Sequence, residues 1–167
     1  MQDKKEDYVA SIKGSEFSLK DVNNNVVTEK SFQGPAAALF FGFTHCPDVC
    51  PMTLNKLSII LERLKKENKS LKVFFISIDP ERDTPEIMKD YLNSFEGKFT
   101  GITGNPEKIF KLSQSWGIAS QKIFSEDGEY TVNHSSPIIL LKNGKYVDRI
   151  THKDDLKRSI KIIKKYL

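Results

Sequence analysis

The only two cysteines of this 167-residue chain, Cys46 and Cys50, lie in one short stretch, GFTHCPDVCP at residues 42–51. Two thiols this close can form a structural disulfide, exchange disulfides with another protein, or bind a soft metal ion. A disulfide across so short a loop would stabilise the fold less than one that closes a long loop. The cysteines therefore favour a redox pair or a metal site.

The two prolines of this stretch predict how the sulfurs are placed. A residue that precedes proline avoids the α-helical region, so Cys50 is predicted at or near the N-cap of a helix that begins with Pro51. Cys46 lies earlier in the loop, next to Pro47. Both sulfurs should then lie near the positive end of the helix dipole, which favours the thiolate form.

The spacing of the cysteines bears on the choice between redox and metal chemistry. Three residues separate them, whereas redox pairs of the thioredoxin type have two residues between the cysteines. The additional residue leaves room for an ion between the sulfurs, which by itself is a weak signal. Two sulfurs are an incomplete set for most metals, so a third donor is expected elsewhere in the chain.

The elements around this loop predict a parallel sheet covered on both faces. The apolar runs at residues 36–43 and 72–79 are typical of buried strands, and helices alternate with them. A hairpin precedes them at residues 17–28, and a second hairpin leads into the last helix. Apolar residues at helical spacing, capping residues and prolines predict helices at residues 51–68, 84–95, 105–117 and 153–167.

This order of elements resembles the thioredoxin arrangement. The predicted fold class is α/β and thioredoxin-like, with a mixed central sheet flanked by helices and an N-terminal β-hairpin addition. Residues 1–13 are predicted to be a charged lead-in and residues 14–167 a single domain. Phe40, Phe41, Phe43 and Trp116 are expected in its core.

Three histidines are candidates for the third donor. His134 ends the predicted strand EYTVNH, a segment that passes beside the cysteine loop in a thioredoxin-like sheet; a strand-end histidine bonded to backbone is the equally weighted alternative. His45 is expected to tune the loop, because strain opposes its binding one ion together with Cys46. His152 is expected on the surface. A Cys2His set suits Cu(I), whereas Zn(II) would want a fourth ligand.

Three motifs together resemble the Sco/SenC family of copper-binding proteins: GFTHCPDVCP at 42–51, SIDPERDTP at 77–85 and VNHS at 132–135. Members of that family have the thioredoxin fold and are implicated in building the dinuclear copper centre of cytochrome c oxidase subunit II. The resemblance implies that Cys46, Cys50 and His134 bind a copper ion, as Cu(I) or Cu(II). It further implies a metallochaperone that passes this ion to subunit II, a role that requires no catalytic turnover.

The resemblance also implies a location. An N-terminal membrane anchor would precede the charged lead-in, with the domain on the periplasmic side of a bacterial inner membrane or facing the mitochondrial intermembrane space. A monomer is expected, with the oxidase subunit and other copper chaperones as partners. The net charge of +4 is mild and much of it lies at residues 157–167, whereas a nucleic-acid interface would need a denser basic patch with interleaved aromatic residues.

Two positions near His134 differ from what the resemblance leads one to expect. Asn133 stands where the family often has aspartate. Without the aspartate carboxylate, the orientation of the histidine ring would be less well supported. Pro137 lies near the position of the cis-proline of thioredoxins, so the Ser136–Pro137 bond is a candidate for the cis form, with the trans form as the favoured alternative.

The motif SIDPERDTP permits a structural and a functional interpretation. In the structural one, Asp79 and Pro80 end a strand and Thr84 caps the next helix. In the functional one, Asp79 and Asp83 lie near the cysteine loop and bond to Arg82 or to a partner. We expect the structural role for Thr84 and an intermediate one for Asp79.

Two redox functions compete with copper delivery. In a thiol–disulfide oxidoreductase that reduces the cysteines of the oxidase copper site, Cys46 would attack, Cys50 would resolve the mixed disulfide and His134 would help to deprotonate a thiol. A peroxiredoxin-like peroxidase would need a threonine and arginine pocket, for which Thr44 is a poor candidate.

Overall fold

A seven-stranded mixed sheet forms the centre of the fold. The computed structural model describes residues 11–46, 49–134 and 137–167, with the backbone alone for Thr131, Asn133 and His134. The strands are β1 (Ser18–Asp21), β2 (Val26–Thr28), β3 (Ala37–Gly42), β4 (Lys72–Ser77), β5 (Phe99–Thr103), β6 (Ser120–Phe124), β7 (Tyr130–His134), β8 (Ile138–Lys142) and β9 (Lys145–Ile150). The helices are α1 (Val49–Lys66), α2 (Pro85–Asn93), α3 (Pro106–Ser115) and α4 (Leu156–Lys164), with a 3-10 helix at Glu29–Phe32.

The strand order β2-β1-β5-β4-β3-β8-β9 confirms the predicted mixed sheet. β3, β4 and β5 are parallel, as expected of strands joined by helical crossovers. The β1–β2 hairpin adds to this core through antiparallel pairing of β1 with β5. β8 pairs antiparallel with β3, and β9 returns beside β8. The N-terminal hairpin addition is therefore confirmed with the fold class.

A separate two-stranded sheet, β6–β7, carries His134 at the end of its second strand. Residue pairs along it run from Phe124 opposite Tyr130 to Ser120 opposite His134. β7 was predicted from sequence and β6 was not. The β6 sequence SQKIF is exposed over most of its length, so it lacks the pattern of buried residues that marks a strand.

Two hydrophobic cores lie on opposite faces of the main sheet. Alternate residues of β3 point to opposite faces, so Phe40 lies in one core and Phe41 in the other. The first core is covered by α1 and also contains Cys50, while the second contains Trp116. Complete burial of a side chain of this size stabilises the fold by about 1.5–3 kcal/mol. The predicted core positions of Phe40, Phe41, Phe43 and Trp116 are confirmed.

Helix starts follow the predicted capping signals in two of three cases. α2 begins at Pro85, with the Thr84 side chain accepting a hydrogen bond from an amide of its first turn, and α3 begins likewise after Asn105. α1 begins at Val49, two residues before the predicted start at Pro51, so Cys50 lies in the first turn and near the N-cap, as predicted. Proline is tolerated there since first-turn N–H groups have no partner within the helix.

Two expectations lie partly outside the described residues. The Ser136–Pro137 bond is one, because Ser136 is not described, and the division of the chain at residue 13 stays a prediction. Within the described part, no helix has the length and apolar character needed to cross a membrane.

A glycine lets the cysteine helix approach the end of β3 closely. A Cβ atom at Gly42 would lie 2.7 Å from the Cys50 Sγ and 2.9 Å from the Cε2 atom of Phe75. Both distances are far shorter than ordinary van der Waals contact. The absence of a side chain at Gly42 therefore determines where the buried sulfur can lie.

We predict that Gly42→Ala lowers the free energy of unfolding by about 1–3 kcal/mol, because a methyl group is forced into a filled space. Chemical denaturation of the reduced protein measures this loss. The loss should shrink when Gly42→Ala is made in a Cys50→Ala background, since one of the two overlapping atoms is then absent. An equal loss in both backgrounds would contradict the close approach of the sulfur.

Candidate metal centre

The two cysteines face each other across the loop that joins β3 to α1. Both are free thiols, and their side chains are hydrogen-bonded to each other. Cys50 is completely buried, whereas Cys46 is half-buried. The backbone N–H of Cys46 donates to the carbonyl of Phe43 at 3.2 Å, which closes the turn after β3. The pair thus combines one reachable sulfur with one enclosed sulfur.

The protonation of Cys50 differs from the sequence prediction. Burial raises the pKa of the Cys50 thiol well above its ordinary value; a backbone hydrogen bond from Phe43 opposes this, and negative charge on Cys46 and Asp83 adds to it. The favourable effect of the helix N-terminus is outweighed by loss of hydration. The predicted thiolate is therefore wrong for Cys50 in the metal-free protein. Its proton must leave when the sulfur binds a metal.

A buried carboxylate holds the loop that carries the cysteines. Asp83 accepts hydrogen bonds from the Thr44 backbone N–H at 3.1 Å and from the Thr44 hydroxyl at 2.5 Å. The Ser77 hydroxyl donates to the same carboxylate at 2.6 Å, and the Thr103 hydroxyl donates to the Asp83 carbonyl. These bonds compensate the cost of burying the side chain. For Asp83 these bonds favour the functional interpretation of SIDPERDTP, in which Asp83 lies near the cysteine loop.

Asp79, the other acid of the same turn, holds the β6–β7 hairpin instead. Its carboxylate accepts from Arg82 Nε at 2.5 Å and from the Tyr130 hydroxyl at 2.8 Å. Arg82 also donates to the Tyr130 carbonyl at 2.8 Å, and its guanidinium lies 3.8 Å from the centre of the Tyr130 ring. Burial and the bond to Asp79 raise the pKa of Tyr130 to about 12, so this phenol stays a donor. The predicted Asp79–Arg82 bond is confirmed.

The hairpin brings His134 towards the end of the sheet that carries the cysteine loop. His134 is the last residue of β7, and Ile138, four residues later, pairs with Phe40 of β3. Four residues span at most about 14 Å, so the Cα atom of His134 lies within that distance of the Cα atom of Ile138, which is next to β3. Its imidazole is outside the described part of the structure, and its role as third ligand stays a prediction.

The other two histidines have different surroundings. His45 is half-exposed, with its Nδ1 3.3 Å from the Thr44 hydroxyl oxygen and 4.0 Å from Asp83 Oδ1. His152 is exposed, as predicted, and lines a shallow groove with Met52. The proposed tuning role of His45 is consistent with its bond to the residue that anchors the loop.

The donors present suit a soft metal ion. Two thiols in hydrogen-bond contact match the ligand preference of copper in its monovalent state. Among the described side chains, which leave out the His134 ring, no group of three or more His, Cys, Asp and Glu could hold a metal ion. The described side chains alone therefore do not form a complete metal site. Whether the site can bind copper depends on His134, the predicted third ligand.

Sequence reasoning missed the residues that support the site from a distance. Tyr130 follows Asp79 by 51 positions, and Thr44 precedes Asp83 by 39. No local spacing links such pairs. The sequence shows that residue 42 is a glycine, but it does not show that this glycine lies against the Cys50 sulfur.

Comparison with known proteins supports the resemblance found in the sequence. The family model described as SCO1/SenC matches residues 5–167. An SCO2-like protein of Rickettsia typhi is 38% identical over 137 residues, which cover 80% of this chain and 68% of the relative. The mitochondrial SCO1 homolog 1 of Arabidopsis thaliana is 42% identical over 130 residues, covering 77% of this chain and 39% of the relative.

Solved structures extend the similarity to three dimensions. Bradyrhizobium japonicum ScoI with copper bound is 39% identical and has a TM-score of 0.83, covering 92% of this chain and 99% of that one. Yeast Sco1 with copper bound is 31% identical and has a TM-score of 0.84, covering 92% and 87%. Since the family model spans nearly the whole chain and relatives of the same family share its fold, this chain belongs to the SCO1/SenC family.

Proposed function

We propose that this protein is a copper metallochaperone. It binds Cu(I), and also Cu(II), through Cys46, Cys50 and His134 and delivers copper to the dinuclear site of cytochrome c oxidase subunit II. The observation that carries the proposal is the pair of contacting free thiols at the end of β3, in a fold shared with structures that hold copper. The ligand set follows from the family motifs in this sequence.

Copper uptake requires the sulfurs to give up their protons. Each thiol that binds becomes a thiolate, and the proton passes to solvent or buffer. Cys50 is costly to ionise alone because it is buried, so the positive ion has to supply the compensating charge at the moment of binding. The empty protein therefore carries no buried negative sulfur, and loss of the Cys50 proton accompanies copper binding.

Copper release proceeds by exchange of ligands. Cys46 is the more exposed sulfur, so an incoming thiolate of the receiving protein can reach copper on that side. The new sulfur–copper bond forms before the Cys46 bond breaks, and the freed sulfur is then protonated. A low coordination number leaves space for this additional ligand.

We place the domain outside the cytoplasm, on the periplasmic side of a bacterial inner membrane or its mitochondrial equivalent, attached by an N-terminal anchor. The support comes from relatives described as mitochondrial in Arabidopsis and yeast. The chain spans about two thirds of the rickettsial relatives and 39% of the Arabidopsis one. The net charge of +4 would speed the encounter of this protein with an acidic surface of the receiving protein. We further propose that the protein acts as a monomer.

A thiol–disulfide oxidoreductase is the second candidate, favoured by the unequal burial of the cysteines. The reachable Cys46 would attack a disulfide of the oxidase copper site, and the enclosed Cys50 would then attack the mixed disulfide. The target leaves with two thiols and this protein with a Cys46–Cys50 disulfide. Such exchange needs no third ligand, which separates the two functions experimentally.

The network around Arg82 supports the proposed site by joining its two halves. Asp83 bonds to the cysteine loop, and its neighbour Arg82 bonds to Asp79 and to Tyr130 at the start of β7. The planar guanidinium group of Arg82 makes both contacts simultaneously, which the single ammonium group of a lysine cannot do in the same geometry. We infer that this network determines the distance between the thiols and the strand that ends at His134.

We predict that His134→Ala weakens Cu(I) binding by about tenfold or more, which corresponds to about 1.4 kcal/mol, because a copper–imidazole bond is lost. Anaerobic titration of the reduced protein against a competing chelator measures this affinity. His152→Ala is the matched control and should bind as the wild type does. Unchanged affinity in His134→Ala would remove His134 from the ligand set and turn attention to the disulfide exchange function.

We predict that Arg82→Lys destabilises the protein by about 1–3 kcal/mol and loosens the hairpin, since hydrogen bonds to the buried Asp79 carboxylate and to the Tyr130 carbonyl are lost. Hydrogen–deuterium exchange should become faster at amides of residues 120–134, and Cu(I) affinity should fall. Glu81→Gln is the control, because its ion pair with Lys122 joins the same turn and hairpin at the surface, where such pairs contribute about 0–1 kcal/mol. Equal exchange in both variants would refute the supporting role of Arg82.

A further inference from the structure

The hydroxyl group of Tyr91 is buried without a hydrogen-bond partner. It is one of three such side-chain atoms in the described part of the structure, with Arg82 Nη2 and the Trp116 indole nitrogen. Trp116 lies on the opposite face of the sheet, and Arg82 has two other nitrogens bonded. Leaving a buried hydroxyl unpaired costs about 1–3 kcal/mol, so its position calls for an explanation.

Tyr91 lies in the core that contains both cysteines. It projects from α2, and its ring packs on Phe75, with 6.0 Å between the ring centres. The Cε2 atom of the Phe75 ring and the Cys50 sulfur both lie within 3 Å of the point where a Gly42 Cβ would stand. The phenol is thus next to the residues that enclose the buried sulfur.

The charged groups that shift the pKa of Tyr91 also place its hydroxyl group near the two cysteines. Burial raises the pKa of the Tyr91 hydroxyl well above its ordinary value, and negative charge on Cys50, Cys46 and Asp83 raises it further. Tyr91 is therefore a neutral donor that sits within the field of both sulfurs. Any negative charge that forms on the pair is stabilised by a nearby O–H group.

A copper-loaded pair would need such a donor. Two thiolates bound to one Cu(I) leave one net negative charge, in a region where Cys50 is wholly enclosed. The Phe43 backbone already provides one hydrogen bond to the Cys50 sulfur. The hydroxyls of Thr44 and Ser77 are used by Asp83, whereas the Tyr91 hydroxyl is unused.

We propose that Tyr91 is a positioning residue whose hydroxyl donates a hydrogen bond to the Cys50 thiolate when the pair holds copper. The inference rests on the proposed copper-binding function and extends it to a residue outside the ligand set. In the empty protein the phenol has no hydrogen-bond partner, although it packs on the core that contains Cys50. Copper binding then gains the hydrogen bond that the empty protein lacks, which favours the loaded state.

The test compares Tyr91→Phe with a matched tyrosine elsewhere. Tyr166 donates to Asp148 at 3.0 Å, and neither cysteine is among the groups that raise its pKa, so Tyr166→Phe removes a hydrogen bond that the empty protein already has. For Tyr91→Phe we expect an unchanged or higher unfolding temperature without metal and a Cu(I) affinity lower by about ten- to a hundredfold. For Tyr166→Phe we expect the reverse: a lower unfolding temperature and unchanged affinity.

A spectrum provides a second readout that a packing defect would not change. With Cu(II) bound, loss of a hydrogen bond to the thiolate raises the energy of the sulfur electrons. The sulfur-to-copper charge-transfer absorption of Tyr91→Phe should therefore move to longer wavelength than that of the wild type.

The outcomes separate this inference from the function on which it rests. Tight Cu(I) binding by the wild type with equal affinity in Tyr91→Phe would overturn the role of Tyr91 and leave the metallochaperone proposal intact. A lower unfolding temperature of metal-free Tyr91→Phe, as in the Tyr166 control, would also overturn it by showing that the hydroxyl has a structural partner. Absence of chelator-resistant binding in the wild type would overturn both.

Discussion

The carboxylate of Asp83 is the constraint on which the geometry of the site depends. It is completely buried and is compensated by the amide and hydroxyl of Thr44 and the hydroxyl of Ser77. Moving the cysteine loop would break two of these bonds and leave a buried carboxylate poorly solvated, which costs several kcal/mol. Asp79 plays the equivalent part for the hairpin, through Tyr130. One turn between β4 and α2 thereby holds the thiols and the strand that leads to His134 in fixed relation.

The second determinant is the conflict between burial and charge at Cys50. Packing against the end of β3 is possible only because Gly42 has no side chain, and it removes the sulfur from water. The thiol consequently keeps its proton until a positive ion arrives. This proton must leave when the sulfur binds a metal ion, and the proposed hydrogen bond from Tyr91 would then stabilise the thiolate. The empty site therefore disfavours a free thiolate at Cys50, and a positive ion is needed to stabilise one.

Much of this architecture could be predicted from the sequence because it is encoded locally. Apolar runs identified β3 and β4, and Thr84–Pro85 and Asn105–Pro106 marked helix starts that the structure confirms. The strand β6 was missed because its exposed residues carry no burial pattern. The raised pKa of Cys50 and the supporting contacts of Tyr91 and Tyr130 were missed because they arise between residues distant in sequence. Local patterns predict elements, whereas desolvation depends on what packs over them.

The central claim is that one copper ion is bound by two sulfurs and one imidazole nitrogen. X-ray absorption spectroscopy of the protein loaded anaerobically with one equivalent of Cu(I) tests it most directly. We expect a first shell of two sulfur atoms and one nitrogen, with the scattering pattern of an imidazole ring. A shell of sulfur alone in the wild type, or copper–copper scattering from a shared cluster, would contradict the account.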